Sequence, residues 1–259
     1  MKKILYLASA LVAVSCYGST AYVTDGAGQF GTMDLGTGVF NQIGGEEPSL
    51  LYGLGWEGGV LYGLDTNSDP NLVTIDPITG AINTVGATGL APRSILSAIS
   101  GGSLYALDGV TSDLYSIAPS TGAATLVGST SLPANLGSNY DSMAGDAANL
   151  YVSVNQTLYI VNPANGNTTV VGSLPNSLVL GAAAIDNQLY AFSGSAGQPF
   201  YTVDTGNAQG TFVADAQVAV FFAASDVPEP GTEFLLGLGL VAVAAARRPV
   251  TAKSSTFAG

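Results

Sequence analysis

The sequence predicts an all-β fold made of five similar units. Two observations carry this prediction: a short segment recurs at nearly constant spacing, and alternating apolar residues surround each copy. The turn glycines of four copies lie 42, 42 and 44 residues apart, a period typical of propeller blades. The five copies are Phe30–Gly38, Leu72–Gly80, Leu114–Gly122, Leu158–Gly166 and Phe200–Asn207.

Each copy is predicted to contribute at least three strands, because segments with period-two alternation flank the repeated segment. The segment that precedes it has a Leu-Tyr or similar start, at Ala21–Asp25, Leu61–Asp65, Leu104–Asp108, Leu150–Val154 and Leu189–Ser193. The segment that follows it ends in glycine in four copies, at Val39–Gly44, Ala81–Gly86, Ala123–Gly128 and Asn167–Gly172.

A fourth strand, rich in small residues, is predicted at the start of copies two to five, at Leu50–Trp56, Ile95–Ser100, Asp141–Gly145 and Val179–Ile185. The first copy lacks this strand, and a matching segment, Val218–Ala224, stands near the other end of the chain. A circular arrangement in which the last strand completes the first unit leaves no long sheet edge exposed. The sequence therefore predicts a five-bladed β-propeller over residues 22–226, with four-stranded blades of about 42 residues. A solenoid or an open sandwich of about 20 strands is the alternative.

Repeated polar residues are predicted to be structural. In the segment Asp76 to Gly80 the Asp side chain can cap a turn, Pro77 presets its backbone angle and the Gly adopts positive φ, so the motif specifies a hairpin turn. The capping residues are Asp34, Asp76, Asn162 and Asp204, and Ala118 replaces the acid in the third copy. We expect the repeated tyrosines to pack between sheets, with an aromatic sugar-binding array as the alternative. They are Tyr22, Tyr62, Tyr105, Tyr151 and Tyr190.

The N-terminus has the three parts of a secretory signal peptide. Lys2 and Lys3 precede the apolar run Ile4–Val14, and small residues follow it. Residues 1–21 are therefore predicted to be a signal peptide with a helical apolar part, and a buried N-terminal helix is the alternative. Residues Ala13 to Cys16 partly resemble a lipobox, so lipidation of Cys16 is a second alternative.

The C-terminus combines a Pro-Glu-Pro segment, the apolar run Phe234–Ala246 and an arginine pair. This order resembles the PEP-CTERM sorting signal of Gram-negative, exopolysaccharide-producing bacteria, and the repeats resemble those of secreted bacterial propellers. The resemblance implies recognition by an exosortase, a membrane-embedded transpeptidase, with the arginines cytoplasmic and the upstream domain outside. It covers residues 227–248, and a short disordered tail is expected at 249–259. The residues that carry it are Val227, Pro228, Glu229, Pro230, Arg247 and Arg248.

Composition excludes several classes of function. The chain has no His and one Cys, which rules out Ser-His-Asp and Cys-His nucleophiles and His- or Cys-ligated zinc. A net charge of −12 disfavours binding to nucleic acid. Between the basic residues near the two ends, Arg93 is the single base.

Variable loops are the predicted ligand-binding region, because the repeats differ there. The candidate residues are Glu46, Glu47, Arg93, Asp141 and Asp215, and we predict no catalytic residue. Arg93 is expected to pair with these acids or to contact an anionic ligand. The alternative is that the four acids meet at the mouth of a channel and hydrolyse a glycosidic bond, which needs no His.

The loop after the second Leu-Tyr segment has oxygen ligands at alternate positions, as calcium-binding loops do. The predicted ligands are Asp65, Asn67, Asp69 and Asp76, although Pro70 replaces the usual turn glycine. No other cofactor is predicted, and a plain solvated hairpin is the alternative.

The sequence thus predicts an exported β-propeller, a membrane-bound precursor that is released to the cell surface or beyond. We expect it to bind or scaffold exopolysaccharide without catalysis. A carboxylate-dependent glycoside hydrolase and a permanently anchored structural protein are the alternatives.

Overall fold

The computed structural model describes residues 20–46, 51–65, 69–98, 103–134, 142–175, 179–185 and 188–225. The chain divides into two units, Met1–Val227 and Pro228–Gly259, and all described residues belong to the first. The predicted signal helix and C-terminal apolar helix therefore lie outside the described residues, apart from Thr20 and Ala21, which begin the first strand. No helix in the described ranges is long and apolar enough to cross a membrane.

The described residues form twenty β-strands. In chain order they are β1 (Thr20–Asp25), β2 (Gln29–Asp34), β3 (Phe40–Glu46), β4 (Leu51–Glu57), β5 (Val60–Asp65), β6 (Asn71–Ile75), β7 (Ile82–Ala87), β8 (Ile95–Ala98), β9 (Leu104–Leu107), β10 (Leu114–Ile117), β11 (Ala124–Gly128), β12 (Ser142–Gly145), β13 (Leu150–Val154), β14 (Thr157–Val161), β15 (Thr168–Ser173), β16 (Val179–Ile185), β17 (Gln188–Ser193), β18 (Gln198–Val203), β19 (Gly210–Ala216) and β20 (Val220–Ser225).

The strands pair antiparallel in groups of four, which we call units. β4–β7, β8–β11, β12–β15 and β16–β19 are the second to fifth units. The first unit has the order β20-β1-β2-β3, so a strand from the end of the domain completes the sheet at its start. The initial strands of successive units contact one another, and β20 contacts both β16 and β4. The predicted all-β, propeller-like architecture is confirmed.

Apolar clusters lie between neighbouring units. One contains Val23 and Met33 of the first unit with Phe192 and Phe200 of the fifth. Each of the other four clusters likewise draws its side chains chiefly from two successive units. Both faces of every sheet are therefore covered, and the hydrophobic stabilisation arises between units.

The repeated tyrosines pack between the sheets, as the sequence predicts. Tyr62 and Tyr151 are buried members of two clusters, and Tyr22, Tyr105 and Tyr190 pack against the other three. The Tyr151 hydroxyl donates a hydrogen bond to Asp146 Oδ2 at 2.6 Å. Burial, and then this carboxylate, raise the pKa of Tyr151 above its ordinary value.

A β-bulge recurs where the third strand of each unit meets the fourth. In four units the extra residue is a valine that packs against an inter-unit cluster: Val85, Val127, Val171 and Val213. The next residue in three of these units is a glycine whose missing side chain lets it approach the next unit. A methyl group at Gly86 or Gly128 would overlap the carbonyl of Thr121 or Asn165, respectively. The bulge thus adds an apolar side chain to the core and allows close contact between neighbouring units.

The predicted turn caps are also present. Asp76 Oδ1 accepts hydrogen bonds from the backbone N–H groups of Ile78 and Thr79 at 2.8 and 2.9 Å. Asp34, Asn162 and Asp204 cap the equivalent turns of their units. Ala118 leaves its turn without a side-chain cap, yet the Gly122 N–H still bonds the Ala118 carbonyl at 2.8 Å.

We predict that Gly53→Ala destabilises the fold more than Gly59→Ala. Gly53 pairs with Leu96 where β4 meets β8 in parallel, and a methyl group there would overlap the Leu96 backbone. Gly59 has nearly the same φ, 81° against 82°, but nothing within 4 Å of an added methyl group. Positive φ costs Ala about 1–2 kcal/mol at both sites, and the overlap adds about 2 kcal/mol at Gly53. Urea unfolding measures the difference, and equal losses would show that the inner strands need no close approach.

Candidate functional site

Alternate strands of each unit run in opposite directions, so the loop that leads into its initial strand and the loop between its second and third strands lie at the same end of the sheet. We call this the loop face. Hydrogen bonds fasten these loops to one another. In the second unit the N–H and hydroxyl of Thr88 donate to the Pro70 carbonyl at 2.9 and 2.7 Å. In the third, Ser112 Oγ donates to the Pro133 carbonyl at 2.6 Å. The loop face is therefore a fixed surface in these units.

Asp108 is the centre of the largest loop network described at this face. Its Oδ1 accepts from the N–H groups of Val110 and Thr111, both at 2.9 Å, and its Oδ2 accepts from the Ala91 N–H at 2.8 Å. Burial alone would raise the pKa of Asp108, but these hydrogen bonds outweigh it and hold the pKa below its ordinary value. Asp108 therefore stays a carboxylate and joins two loops.

Arg93 is exposed on the loop that Asp108 holds. Its backbone has φ 65°, and Ser94 beside it donates to the Ala91 carbonyl at 2.7 Å and accepts from the Gly109 N–H at 3.0 Å. This loop presents Arg93 from a fixed backbone. Its pairing with the predicted acids, or with an anionic ligand, stays a prediction.

The predicted acidic site is only partly described. Asp215 is exposed on β19, and the backbone of Glu46 ends β3. Both strands are the outermost of their units, three strand spacings, or about 14 Å, from the innermost strands. Asp215 and the backbone of Glu46 therefore lie at the outer edges of their sheets, and the meeting of the four acids stays a prediction. Glu47 and Asp141 lie outside the described residues, as does the side chain of Glu46.

The predicted calcium loop is divided by β6. Asp65 pairs with Asn71 at one end of the β5–β6 ladder, close in sequence to the exposed Asp69. Asp76 follows the other end of β6 and caps the next turn, about 17 Å away along the extended strand. Asn67 is outside the described residues, and the described part of the chain contains no group of three or more acidic, His or Cys side chains that could hold a metal. Calcium binding by Asp65, Asn67 and Asp69 stays a prediction.

The structure describes one concave polar site that the sequence analysis did not identify. This cleft of about 430 Å³ lies on the fifth unit and is lined by Gln188, Thr202, Val203, Asp204, Thr205, Gln209 and Thr211. We call it the fifth-unit cleft. Thr202 is the cross-strand partner of both Tyr190 and Thr211, so these side chains share one face of the sheet.

Hydroxyl and amide groups dominate the lining of this cleft. Gln188 Nε2 donates to the carbonyls of Leu189 and Val203 at 3.1 and 3.2 Å, which fixes the amide. Asp204 is the single carboxylate in the lining, and its Oδ1 already accepts from the Gly206 N–H at 2.8 Å. The cleft can donate and accept several hydrogen bonds without placing a second charge beside the ligand.

A signal for this cleft was present in the sequence. The outer strands carry polar residues at equivalent cross-strand positions in several units, for example Thr74 opposite Asn83 and Ser116 opposite Thr125. The hydroxyls at these positions donate hydrogen bonds to backbone carbonyls of the opposite residues. Thr74 Oγ1 donates to the Asn83 carbonyl at 3.5 Å, and Thr202 Oγ1 donates to the Thr211 carbonyl at 3.4 Å. Which copy is concave depends on the surrounding turns, so the repeat pattern alone did not single out the fifth.

The family model described as the PEP-CTERM protein-sorting motif matches residues 226–248. This chain carries the PEP-CTERM sorting motif of exosortase substrates. The match covers the whole predicted segment 227–248 and begins one residue earlier. The motif marks an exported protein that is processed by exosortase, a membrane protein, and is associated with the membrane during sorting. Comparison with curated protein sequences finds no match.

Several solved structures resemble the described domain in fold. A chain of the nidogen/laminin complex is 12% identical, with a TM-score of 0.51, and the match covers 80% of this chain and 98% of that one. A protein of unknown function from Bacteroides thetaiotaomicron is 13% identical, with a TM-score of 0.53 and coverage of 79% and 63%. A gluconolactonase from Xanthomonas campestris is 14% identical, with a TM-score of 0.51 and coverage of 81% of both chains. At these identities the likeness concerns the fold alone.

We predict that Asp108→Ala is strongly destabilising. The change removes the acceptors of three backbone N–H groups in two loops, and we expect a loss of about 2–4 kcal/mol of unfolding free energy. The control is Asp76→Ala, because that acid caps an exposed turn without joining another loop and the third copy has alanine there; we expect a clearly smaller loss. Urea unfolding compares the two variants. Equal losses would contradict a joining role for Asp108.

Acid should weaken the fold in a defined range. The Thr37 hydroxyl lowers the pKa of Asp34, the Thr79 and Ile78 N–H groups lower that of Asp76, and hydrogen bonds lower that of Asp108. A carboxylate with a lowered folded-state pKa stabilises above its unfolded pKa of about 3.9, and that stability is lost as pH falls through the folded value. We expect the urea concentration at the unfolding midpoint to decrease as the pH is lowered below about 4. This decrease should be less steep in Asp108→Ala. A midpoint that is flat down to pH 2 would contradict this assignment.

Proposed function

We propose that the domain is a closed five-bladed β-propeller, exported and exosortase-processed, that binds an extracellular neutral polysaccharide without cleaving it. The pairing of β20 with β1 supports closure, because it supplies the first unit with its missing strand. The cyclic series of contacts among the initial strands supports five blades. Each unit would then be one blade, with β4, β8, β12, β16 and β20 innermost.

The fifth-unit cleft is the observation that carries the binding proposal. Its Thr and Gln side chains provide donors and acceptors of the kind that sugar hydroxyls need, and Tyr190 stands on the same sheet face. Side chains that are held by their own sheet lose little freedom when a ligand binds. The lining has three threonine hydroxyls and two glutamine amides, which suit a neutral sugar polymer better than a small charged ligand.

Charge favours a neutral polymer over an anionic one. Residues 22–226 contain sixteen acids and one base, Arg93, a net charge of −15. Such a domain repels polyanions at low ionic strength. A neutral exopolysaccharide avoids this repulsion, and its hydroxyls match the uncharged groups of the cleft.

The carboxylates support binding better than catalysis. Hydrolysis of a glycosidic bond needs two carboxyl groups about 5–9.5 Å apart across the bond. The cleft offers Asp204 alone, already engaged in its turn, and Asp215 and Glu46 stand on outermost strands of different units. The proposed role is therefore that of a binding or scaffolding protein at the cell surface or in the matrix.

The test is binding to neutral polysaccharides, including exopolysaccharide purified from the producing cells. We expect co-elution with polymer of unchanged mass in light-scattering chromatography, in buffer with calcium and again without it. Replacing Thr202 and Thr211 by Val keeps their shape and removes two hydroxyls, so the dissociation constant should rise about tenfold.

Thr74→Val is the matched control, because Thr74 makes the same cross-strand bond in the second unit. Arg93→Gln tests the loop face separately. Loss of binding in Arg93→Gln alone would move the site to the loop face. Polymer that shortens with time would overturn the non-catalytic proposal, and absence of binding to every polymer would favour a structural protein.

A further inference from the structure

Three of the outermost strands carry an exposed apolar residue at the same position. Leu126 of β11, Val170 of β15 and Phe212 of β19 are 55%, 63% and 58% exposed. Each residue directly precedes the valine of its β-bulge, so the three positions are equivalent in the third, fourth and fifth units. Single exposed apolar residues are common on protein surfaces, but a repeated one calls for an explanation.

The equivalent residues of the first and second units are polar. Gln42 pairs with Gly31, and Thr84 pairs with Val73, at the same place in their ladders. Both Gln42 and Thr84 are exposed, as the apolar residues of the other units are. The same fold thus accepts either kind of side chain at this position, so packing does not require an apolar one. The apolar residues are a property of the surface of three units.

Each of these exposed apolar residues lies opposite a tyrosine in the neighbouring strand. The rings of Tyr201 and Phe212 meet edge to face, with their centroids 6.4 Å apart. Tyr115 and Tyr159 are half-buried and pack against clusters between units, which holds them in place. Every pair is therefore an apolar surface that includes one phenolic hydroxyl. We call these cross-strand pairs the rim pairs: Tyr115 with Leu126, Tyr159 with Val170, and Tyr201 with Phe212.

The rim pairs follow one another along the outermost strands. Gly128, two residues after Leu126, closely approaches the Asn165 carbonyl in the turn before β15. Gly172 likewise approaches the Asn207 carbonyl in the turn before β19. The path from one exposed apolar residue to the next thus includes seven residues and one contact, at most about 30 Å. A single long polymer can therefore reach from one rim pair to the next.

We propose that the rim pairs are three equivalent contact sites for the sugar rings of a neutral polysaccharide. This inference rests on the proposed function and adds sites to it. A pyranose ring with equatorial hydroxyls has faces that carry C–H groups, and such a face packs on an aromatic or aliphatic surface. The tyrosine hydroxyl can exchange hydrogen bonds with the sugar hydroxyls at the ring edge. Three weak contacts reinforce one another when one polymer joins them.

Charge favours this ligand over a second copy of the chain or a lipid surface. Residues 22–226 contain sixteen acids and one base, so two copies repel each other and anionic lipid repels both. No charged residue lies in β11 or β15, and Asp215 is the single one in β19. A neutral ligand meets no repulsion there. The repetition of the rim pairs also matches a ligand that is itself a repeat.

The rim pair of the fifth unit is separate from the fifth-unit cleft. Tyr201 directly precedes Thr202 in β18, and Phe212 directly follows Thr211 in β19. Successive residues of a strand point to opposite faces of the sheet. The cleft and the rim pair therefore use opposite faces of the same two strands, and each can be changed without replacing a residue of the other.

The test is electrophoresis of the full chain, in detergent, through native gels that contain soluble mixed-linkage β-glucan. This polymer is neutral and its rings have equatorial hydroxyls, so bound polymer retards the acidic chain without adding charge. The triple variant replaces Leu126, Val170 and Phe212 by Thr, the residue that the second unit already has there as Thr84. We expect the fold to be kept and the dissociation constant to rise about tenfold, with a smaller rise in each single variant.

Ile78→Thr is the matched control, because it removes an apolar side chain that is 84% exposed and belongs to no rim pair. Its dissociation constant should equal that of the wild type. Phe212→Tyr keeps an aromatic ring and should also retain binding, whereas Phe212→Thr should weaken it. A loss in Ile78→Thr as large as that in the triple variant would overturn the inference.

The cleft variant Thr202→Val/Thr211→Val separates this inference from the proposed function. Weaker binding in the cleft variant with unchanged binding in the triple variant would overturn the rim pairs and leave the cleft as the site. The reverse result would support the rim pairs and remove the cleft. Self-association of the wild type that the triple variant loses, measured by light scattering, would assign the pairs to a second copy and overturn the inference. A wild-type chain that β-glucan does not retard would also overturn it.

Discussion

Each sheet of this domain is apolar on both faces, and the rest of the structure depends on that constraint. A four-stranded sheet with two apolar faces needs a neighbour on each side, and every described cluster is shared between units. Among the described units, each one shares a cluster with two others. β20 meets this need: Val220 and Ala223 enter one cluster, Phe222 a second and Ala224 a third. The strand that completes the first unit thus joins more clusters than a simple edge strand would.

The need to cover both faces of each sheet also accounts for the repeated β-bulges between the third and fourth strands. A regular outer strand would turn its apolar residues alternately to the core and to water. The bulge places one additional valine toward the core, and the residue after it reaches the neighbouring turn. Contact with the neighbouring unit fixes each of these turns and the two strands that it joins. The loops at the other end of the sheet can therefore differ in sequence without destabilising the sheet. Rigid strands with variable loops form a suitable frame for ligand binding.

The sequence was informative wherever a local pattern has one structural solution. Periodicity predicted the strands, Asp-Pro-x-Thr-Gly predicted the capped turns, and the missing strand of the first copy predicted the pairing of β20 with β1. Sequence patterns did not predict features that depend on the spatial distance between separate segments. Asp76 fits a calcium-loop spacing in one dimension, but a five-residue strand separates it from Asp69. Asp108 looks like the end of a strand in the sequence, and only the fold shows that its carboxylate reaches Ala91, seventeen residues earlier.

Closure by the last strand also orders events during export. Before β20 pairs, three of the five clusters lack part of their side chains, and these three clusters together draw on every unit. β20 is immediately followed by the sorting motif, so the strand that completes the first unit is the last strand of the domain to be synthesised. The chain cannot rely on a disulfide in the interval, since its single Cys lies in the predicted signal peptide. The core of the first unit is therefore completed by the segment that directly precedes the sorting motif.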